Sequence, residues 1–138
     1  MREILFKAKR ICDGKWVEGY YLRDQYHIGG KDIIFYRKDS DRFTVYTDRI
    51  DIETLCQFTG LCDKNGKRIW ESDVVWLVYD GKEHIYQIVW DDSELDFKAT
   101  NGEENYGSNF EYLLCCDEIE VIGNIFDNPE LLQEEPDE

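Results

Sequence analysis

Short alternations of apolar and polar residues dominate the first half of the chain. Residues 4–9 alternate with a period of two, which is the pattern of a half-buried strand. An Asp-Gly turn signal separates them from a second apolar stretch at residues 15–22, so the pattern predicts an N-terminal hairpin. Two further strands are predicted at residues 32–36 and 43–46.

A second hairpin is predicted around a continuous apolar run at residues 74–79. Asp80-Gly81 closes a tight turn, and residues 82–90 return. A two-residue turn sets three cross-strand pairs: Tyr79 with Lys82, Leu77 with His84, and Val75 with Tyr86. Both faces of this hairpin are apolar, so either a second layer covers it or one face is an interface.

The remaining segments also favour short strands joined by turns. Residues 63–66 (Asp-Lys-Asn-Gly) predict a hairpin turn, and residues 118–125 predict a strand. Periodicity does not decide between strand and helix for residues 110–115, and residues 127–132 predict a short terminal helical turn. This pattern predicts an all-β barrel or sandwich with little helix.

Composition fits a folded protein with an uneven charge distribution. The 138 residues are 42% hydrophobic and 14% aromatic, which argues against disorder. No apolar run approaches the roughly 20 residues that cross a bilayer, and the charged start is unlike a signal peptide. The net charge is −15: residues 1–70 hold 14 basic and 11 acidic residues, a net of +3, whereas residues 71–138 hold 2 and 20, a net of −18. Free nucleic acid and anionic membranes are therefore not expected partners of the whole molecule.

Three interpretations of the acidic half remain open. The excess charge can simply maintain solubility. It can instead form a surface that docks a basic protein or imitates nucleic acid. It can also take part in a head-to-tail contact, in which the mildly basic end of one copy meets the acidic end of another, so that a homo-oligomer forms.

The five cysteines indicate free thiols in a reducing cytoplasm. Their number is odd, and no Cys-x-x-Cys spacing is present. The adjacent pair Cys115-Cys116 is unsuited to a tetrahedral zinc site, because neighbouring strand side chains point to opposite faces. We therefore expect no metal and no cofactor.

Three blocks of sequence carry a resemblance to a known family. They are residues 1–8 (MREILFKA), residues 57–75 (QFTGLCDKNGKRIWESDVV) and residues 120–131 (EVIGNIFDNPEL). Together they resemble the YopX family of phage and prophage proteins over nearly the whole chain. Ser72 stands where that family commonly has Gly, which bears on the tightness of the turn into the next strand, and Cys56 and Cys62 are also unusual at their positions.

The resemblance implies a phage or prophage gene product in a bacterial cytoplasm, with an SH3-like small barrel in its second half. The expected organisation is an N-terminal β subregion at residues 1–50, an SH3-like subregion at residues 51–132 and a disordered acidic tail at residues 133–138. The family brings no catalytic residues to transfer.

Searching for catalytic chemistry gives weak candidates. Nucleophilic catalysis needs a base beside a nucleophile, and only His27 and His84 are present. The densest carboxylate cluster, at residues 91–96, would suit a carboxylate-based hydrolase but is also an ordinary polar turn. Residues 63–74 begin like a calcium loop, but Arg68 and Val74 break the pattern.

Basic groups near aromatic residues could form a stacking surface for a nucleic-acid strand. Two such groups are present, at residues 7–15 and at residues 37–42, with Tyr20, Tyr21 and Phe35 nearby. The acidic second half opposes this interpretation.

The sequence therefore favours a non-enzymatic protein-interaction module whose partner, from host or phage, is unknown. An acidic decoy that occupies a nucleic-acid-binding protein and a carboxylate hydrolase are the alternatives. The candidate interaction residues are the aromatics Trp70, Trp76, Tyr79, Tyr86 and Trp90, and the acids Glu103, Glu104, Asp117 and Glu118.

Overall fold

The computed structural model describes residues 3–25, 30–101 and 110–132. The chain divides into two compact units, residues 1–58 (unit 1) and residues 59–138 (unit 2). Within these described ranges, eleven strands form two antiparallel sheets: β1 (Phe6–Lys9), β2 (Trp16–Asp24), β3 (Lys31–Lys38), β4 (Asp41–Arg49), β5 (Cys56–Cys62), β6 (Arg68–Trp70), β7 (Asp73–Tyr79), β8 (Lys82–Asp91), β9 (Asp96–Thr100), β10 (Phe110–Tyr112) and β11 (Glu118–Asn124). The sheet orders are β4-β3-β2-β1-β5-β6 and β10-β9-β8-β7-β11. Short 3-10 helices occupy Ile52–Thr54, Leu113–Cys115 and Pro129–Leu132.

Unit 1 is built on the N-terminal hairpin that the sequence predicts. Strands β1 and β2 pair in antiparallel register, and β3 and β4 continue the sheet. The segment after β4 contacts β3 and the residue that follows β1. The Ile50 amide donates to the Asp32 carbonyl at 3.1 Å, and Ile50 also forms a β-bridge with Arg10. Ala8, Val17, Ile34 and Ile50 form a small buried core in this unit.

Unit 2 is built on the hairpin of β7 and β8, and its predicted register is confirmed in all three pairs. Asp80 and Gly81 have φ values of 51° and 77°, the left-handed conformations that a two-residue hairpin turn of this kind requires. One face of the sheet packs into a core that includes Val75, Leu77 and Ile88, each with no exposed surface. Strand β11 pairs with β7 and adds Ile119 and Val121 to this core.

The turn at residues 63–66 is confirmed, and one buried carboxylate organises it. Asp63 Oδ1 accepts the amides of Asn65 and Lys67, each at 2.9 Å, while Asp63 Oδ2 accepts the amide of Val121 at 2.9 Å. Burial would raise the pKa of Asp63, but these amide donors hold it below its ordinary value. Asp63 thus ties the turn between β5 and β6 to β11.

The all-β class is confirmed, since no α-helix occurs in the described residues. The SH3-like barrel stays a prediction, because both described sheets are open, with β10 and β11 as the edges of the second. The ambiguous segment at residues 110–115 divides between strand β10 and a 3-10 helix. The predicted terminal helical turn is confirmed, and the acidic tail at residues 133–138 lies outside the described residues.

Candidate functional site

A buried lysine organises the acidic turn between β8 and β9. Lys98 retains only 2% of its surface exposure, and its Nζ lies 2.7 Å from Asp91 Oδ2 and 2.5 Å from Glu94 Oε1. The hydrogen bonds from Lys98 are the main reason that the pKa values of Asp91 and Glu94 lie below their ordinary range. Burial alone would lower the pKa of Lys98, but the two carboxylates raise it overall. All three groups are therefore charged at neutral pH.

Tyr112 connects this cluster to strand β10. Its hydroxyl donates to Glu94 Oε1 at 2.8 Å, and Lys98 Nζ lies 5.1 Å from the centre of its ring. The hydrogen bond to Glu94 raises the pKa of the Tyr112 hydroxyl. The cluster thereby fixes the turn and the end of β10 relative to each other within unit 2.

An apolar groove of about 340 Å³ lies beside this cluster. It is lined by three segments of unit 2: Thr59 and Leu61 of β5, Asp96 and Phe97 of β9, and residues 112–115. Leu113 is buried, whereas Leu114 is 84% exposed. Leu114 therefore extends the apolar surface of the groove toward solvent, and exposed apolar patches of this kind are typical of interaction sites.

The margin of the groove combines aromatic and acidic side chains. Trp90 packs edge-on against Phe97 with ring centres 4.9 Å apart, remains 40% exposed, and donates its indole N–H to Asp92 Oδ1 at 2.7 Å. Asp92 and Asp96 are exposed. The acidic turn that the sequence offered as a possible hydrolase site is thus the charged border of an apolar groove.

The other candidate aromatic residues differ in exposure. Trp70 and Tyr86 lie in the interior at 4% and 5% exposure. Tyr79 is 38% exposed at the hairpin turn. Trp76 is partly buried: its indole N–H donates to Glu83 at 2.9 Å, and the Lys64 ammonium lies 4.9 Å from its ring centre. Trp90 is the exposed candidate whose ring packs against Phe97, which lines the groove.

The candidate acids are only partly described. Asp117 and Glu118 are exposed at the start of β11, where both line a second groove, of about 310 Å³, together with Lys64. Lys64 forms long ion pairs of 3.5 Å with Glu118 and Glu120. Glu103 and Glu104 lie outside the described residues.

His84 and Cys116 are two described residues of the types that nucleophilic catalysis uses. The His84 ring stacks on Tyr86 with centres 4.8 Å apart, and burial is the main cause that lowers its pKa. Burial raises the pKa of the Cys116 thiol to about 11, which disfavours the nucleophilic thiolate. His27 lies outside the described residues.

Sequence reasoning missed one carboxyl group with an upward-shifted pKa. Burial raises the pKa of Glu111, which lies opposite Ala99 of the core in the pairing of β10 with β9. Burial is the main cause that raises the pKa values of Tyr86 and Cys116, and the Glu111 charge adds to it. Strand β10 has three residues, which is too few for an alternation of apolar and polar positions to indicate which face Glu111 occupies.

Neither a cluster of metal-binding side chains nor a membrane-crossing helix is present within residues 3–25, 30–101 and 110–132. No group of three His, Cys, Asp or Glu side chains in these ranges is placed to hold a metal ion. The helices there also lack the length and apolar character that crossing a bilayer requires. The described cysteines are free thiols.

Fold and groove together define a small all-β protein with two compact units and an acid-bordered apolar groove in the second. Residues 5–133 match the family model described as YopX protein. The chain therefore belongs to the YopX family, as its three sequence blocks predicted. The fold is also similar to a crystal structure of protein EF1440 from Enterococcus faecalis, with a TM-score of 0.56 and 24% identity over 96% of this chain and 99% of that one. No curated protein sequence matches the chain.

Proposed function

We propose that this protein is a non-enzymatic interaction module that binds a basic, apolar segment of a partner protein in the groove of unit 2. The observation that carries the proposal is the exposed Leu114 beside an apolar groove with carboxylates at its border. An apolar side chain of the partner would fill the groove, and neighbouring Lys or Arg residues would meet Asp92 and Asp96.

The charge of unit 2 supports a basic partner. Residues 59–138 contain 5 basic and 21 acidic residues, a net charge of −16. Such a surface speeds the encounter with a basic segment and rejects acidic ones. The SH3-like barrel expected for residues 51–132 belongs to the same proposal, since small barrels of that kind bind peptides through aromatic grooves.

The cellular setting is also part of the proposal. The YopX resemblance favours a phage or prophage accessory protein, and the free thiols are typical of a reducing bacterial cytoplasm. Ion-paired Asp91 and Glu94, with lowered pKa values, are poor general acids, which favours a binding role over hydrolysis at this turn.

Selection of peptides from a random display library tests the proposal. We expect enriched peptides to carry a large apolar residue flanked by Lys or Arg. Leu114→Ser should weaken their binding by about tenfold, because truncating a central apolar contact costs more than about 1 kcal/mol. Phe43→Ser is the matched control, since Phe43 is 98% exposed and lies in unit 1. Failure to enrich such peptides, or equal losses in both variants, would contradict the proposal.

An acidic decoy is the second candidate, and the net charge of −16 favours it. A decoy would bind a basic nucleic-acid-binding protein through distributed charge, with strong salt dependence. Its binding should fall when Asp117 and Glu118 are replaced by Lys and should be insensitive to Leu114→Ser. If the groove is the binding site, Leu114→Ser should instead weaken binding more than the replacement of Asp117 and Glu118 by Lys.

A further inference from the structure

A pocket in unit 1 carries charge opposite to that of the whole chain. It has a volume of about 560 Å³ and lies where the ends of β1, β3 and β4 meet. Five cationic residues line it, namely Lys9, Arg10, Arg23, Lys31 and Arg49. Among the described residues, the carboxylates that line the same pocket are Asp32 and Asp51, although the full chain carries a net charge of −15.

Backbone hydrogen bonds hold the segments that form this pocket. The Ile50 amide donates to the Asp32 carbonyl at 3.1 Å, and the Ile11 amide donates to the Arg49 carbonyl at 3.0 Å. The Asp51 amide donates to the Lys9 carbonyl at 2.9 Å. The pocket is therefore framed by paired backbone, which limits the entropy lost when a ligand binds.

Some of the charges around the pocket are already matched within the protein. Arg23 pairs with Asp32 at 2.9 Å. Arg10 is held by Asp13 and, at 3.3 Å, by Asp48, neither of which lines the pocket. Asp51 uses its Oδ1 to accept the Glu53 amide at 3.0 Å.

Lys31 and Arg49 differ from these residues. Within the described part of the chain, neither side chain has a hydrogen bond or an ion pair. Two unpaired cations in one pocket are a source of charge-assisted hydrogen bonds to an anion. The pocket therefore has binding capacity that the fold itself does not use.

An apolar wall lies beside these cations. Ile11 is 60% exposed and Ile52 is 44% exposed, and both line the pocket. A ligand with an anionic end and a flat uncharged end would satisfy both parts of this surface. The volume also falls within the range of roughly 300–1,000 Å³ that small-molecule sites occupy.

We infer that this pocket binds the phosphate groups of a small nucleotide-like anion, with Lys31 and Arg49 as the main phosphate contacts and Ile11 and Ile52 against the uncharged part. A free nucleotide fits better than a nucleic-acid strand, because the net charge of −15 repels a long polyanion while a small anion is governed by the local pocket. This site is independent of the groove in unit 2.

Isothermal titration of the full chain with ATP, tripolyphosphate, adenosine and an oligothymidylate strand tests the inference. We expect ATP to bind most tightly and adenosine not to bind. Lys31→Gln and Arg49→Gln should each weaken ATP binding by about tenfold through the loss of one charge-assisted contact. Lys82→Gln, which removes the same charge from the exposed hairpin turn of unit 2, should change binding by less than about twofold.

Several results would overturn the inference. These are the absence of ATP binding at millimolar concentration, an equal loss in Lys82→Gln, and adenosine binding as tightly as ATP. If tripolyphosphate binds more tightly than ATP, the ligand is not a nucleotide. If oligothymidylate binds more tightly than ATP, the site binds a nucleic-acid strand and not a free nucleotide. Because neither Lys31 nor Arg49 has a side-chain partner in the described structure, both variants should keep the thermal stability of the parent.

Discussion

Unit 1 and unit 2 carry charge in different ways. Unit 1 has 11 basic and 10 acidic residues, and two of its arginines pair with carboxylates near the surface: Arg10 with Asp48 and Arg23 with Asp32. Unit 2 has 5 basic and 21 acidic residues, and one of its few cations, Lys98, is in the interior.

This difference distinguishes charged side chains that form ion pairs within the fold from those without a counter-charge. In unit 2 Lys98 pairs with two acids of one turn, and Lys64 contacts two acids of β11, so the five basic residues leave a large surplus of negative charge. In unit 1 the numbers of basic and acidic residues are nearly equal. Its excess positive charge is confined to one pocket, where the side chains of Lys31 and Arg49 have no partner among the described residues. The comparison predicts that the two units bind ligands of opposite charge.

The largest effect on stability is expected for Lys98→Met. Removing the ammonium leaves the largely buried Asp91 carboxylate and the half-exposed Glu94 carboxylate without their counter-charge, and breaking a buried pair such as Lys98–Asp91 costs about 3 kcal/mol. Urea denaturation measures the loss. The matched variant in unit 1, Arg10→Met, should cost much less, because its ion pairs are near the surface. Equal losses would break the distinction between the two units.

The next largest effect is expected for Asp63→Ala. The variant leaves three backbone amides without their acceptor, which costs about 2–3 kcal/mol at neutral pH. Because folding lowers the pKa of Asp63, its stabilising contribution is present above the ordinary Asp value and is lost as pH falls through the folded value. The difference between parent and variant in urea denaturation should therefore shrink in acid. A pH-independent difference would contradict this account of the turn.

A smaller, opposite effect is expected for Ser72→Gly. Ser72 has a φ of 75°, and the left-handed conformation costs a non-glycine residue roughly 1 kcal/mol. The described positive-φ positions of unit 1, Gly14 and Gly30, are both glycine. We expect Ser72→Gly to raise the free energy of unfolding by up to about 1 kcal/mol and Ser72→Ala to leave it nearly unchanged. A loss of stability in the glycine variant would show that backbone strain at this turn is unimportant.

The smallest effect is expected for Glu111→Gln and depends on pH. Folding raises the pKa of Glu111, so the ionised form disfavours the folded state, and the parent loses stability as pH rises through the ordinary Glu range toward the folded value. The Gln variant should therefore have a higher melting temperature than the parent at neutral pH, and this gain should vanish in acid. A gain that persists in acid would assign the effect to packing instead of charge.

Local patterns predicted much of the fold. Two-residue turns fix hairpin register, so Asp80-Gly81 gave the pairing of β7 with β8 correctly. Asp63 and Gly66 likewise marked the next hairpin turn, and Ser72 was recognised as a departure at a position that proves to need a positive φ. These features depend on residues close together in the chain.

Features that depend on distant residues were not predicted. The groove brings Leu61, Phe97 and Leu114 together from three segments, and no spacing in the sequence indicates that they meet. The same is true of Lys31 and Arg49 in the pocket of unit 1. The burial of Lys98 was also hidden, because a lysine near acidic residues has the same sequence pattern whether it is exposed or buried.

The most direct test of the central claim is an amide chemical-shift titration of the full chain with a short peptide that carries one large apolar residue between lysines. The account predicts saturable shifts concentrated at residues 95–99 and 112–115, around the groove of unit 2, with residues 3–25 unaffected. Shifts spread over all exposed acidic residues, shifts concentrated in unit 1, or no saturable change would contradict it.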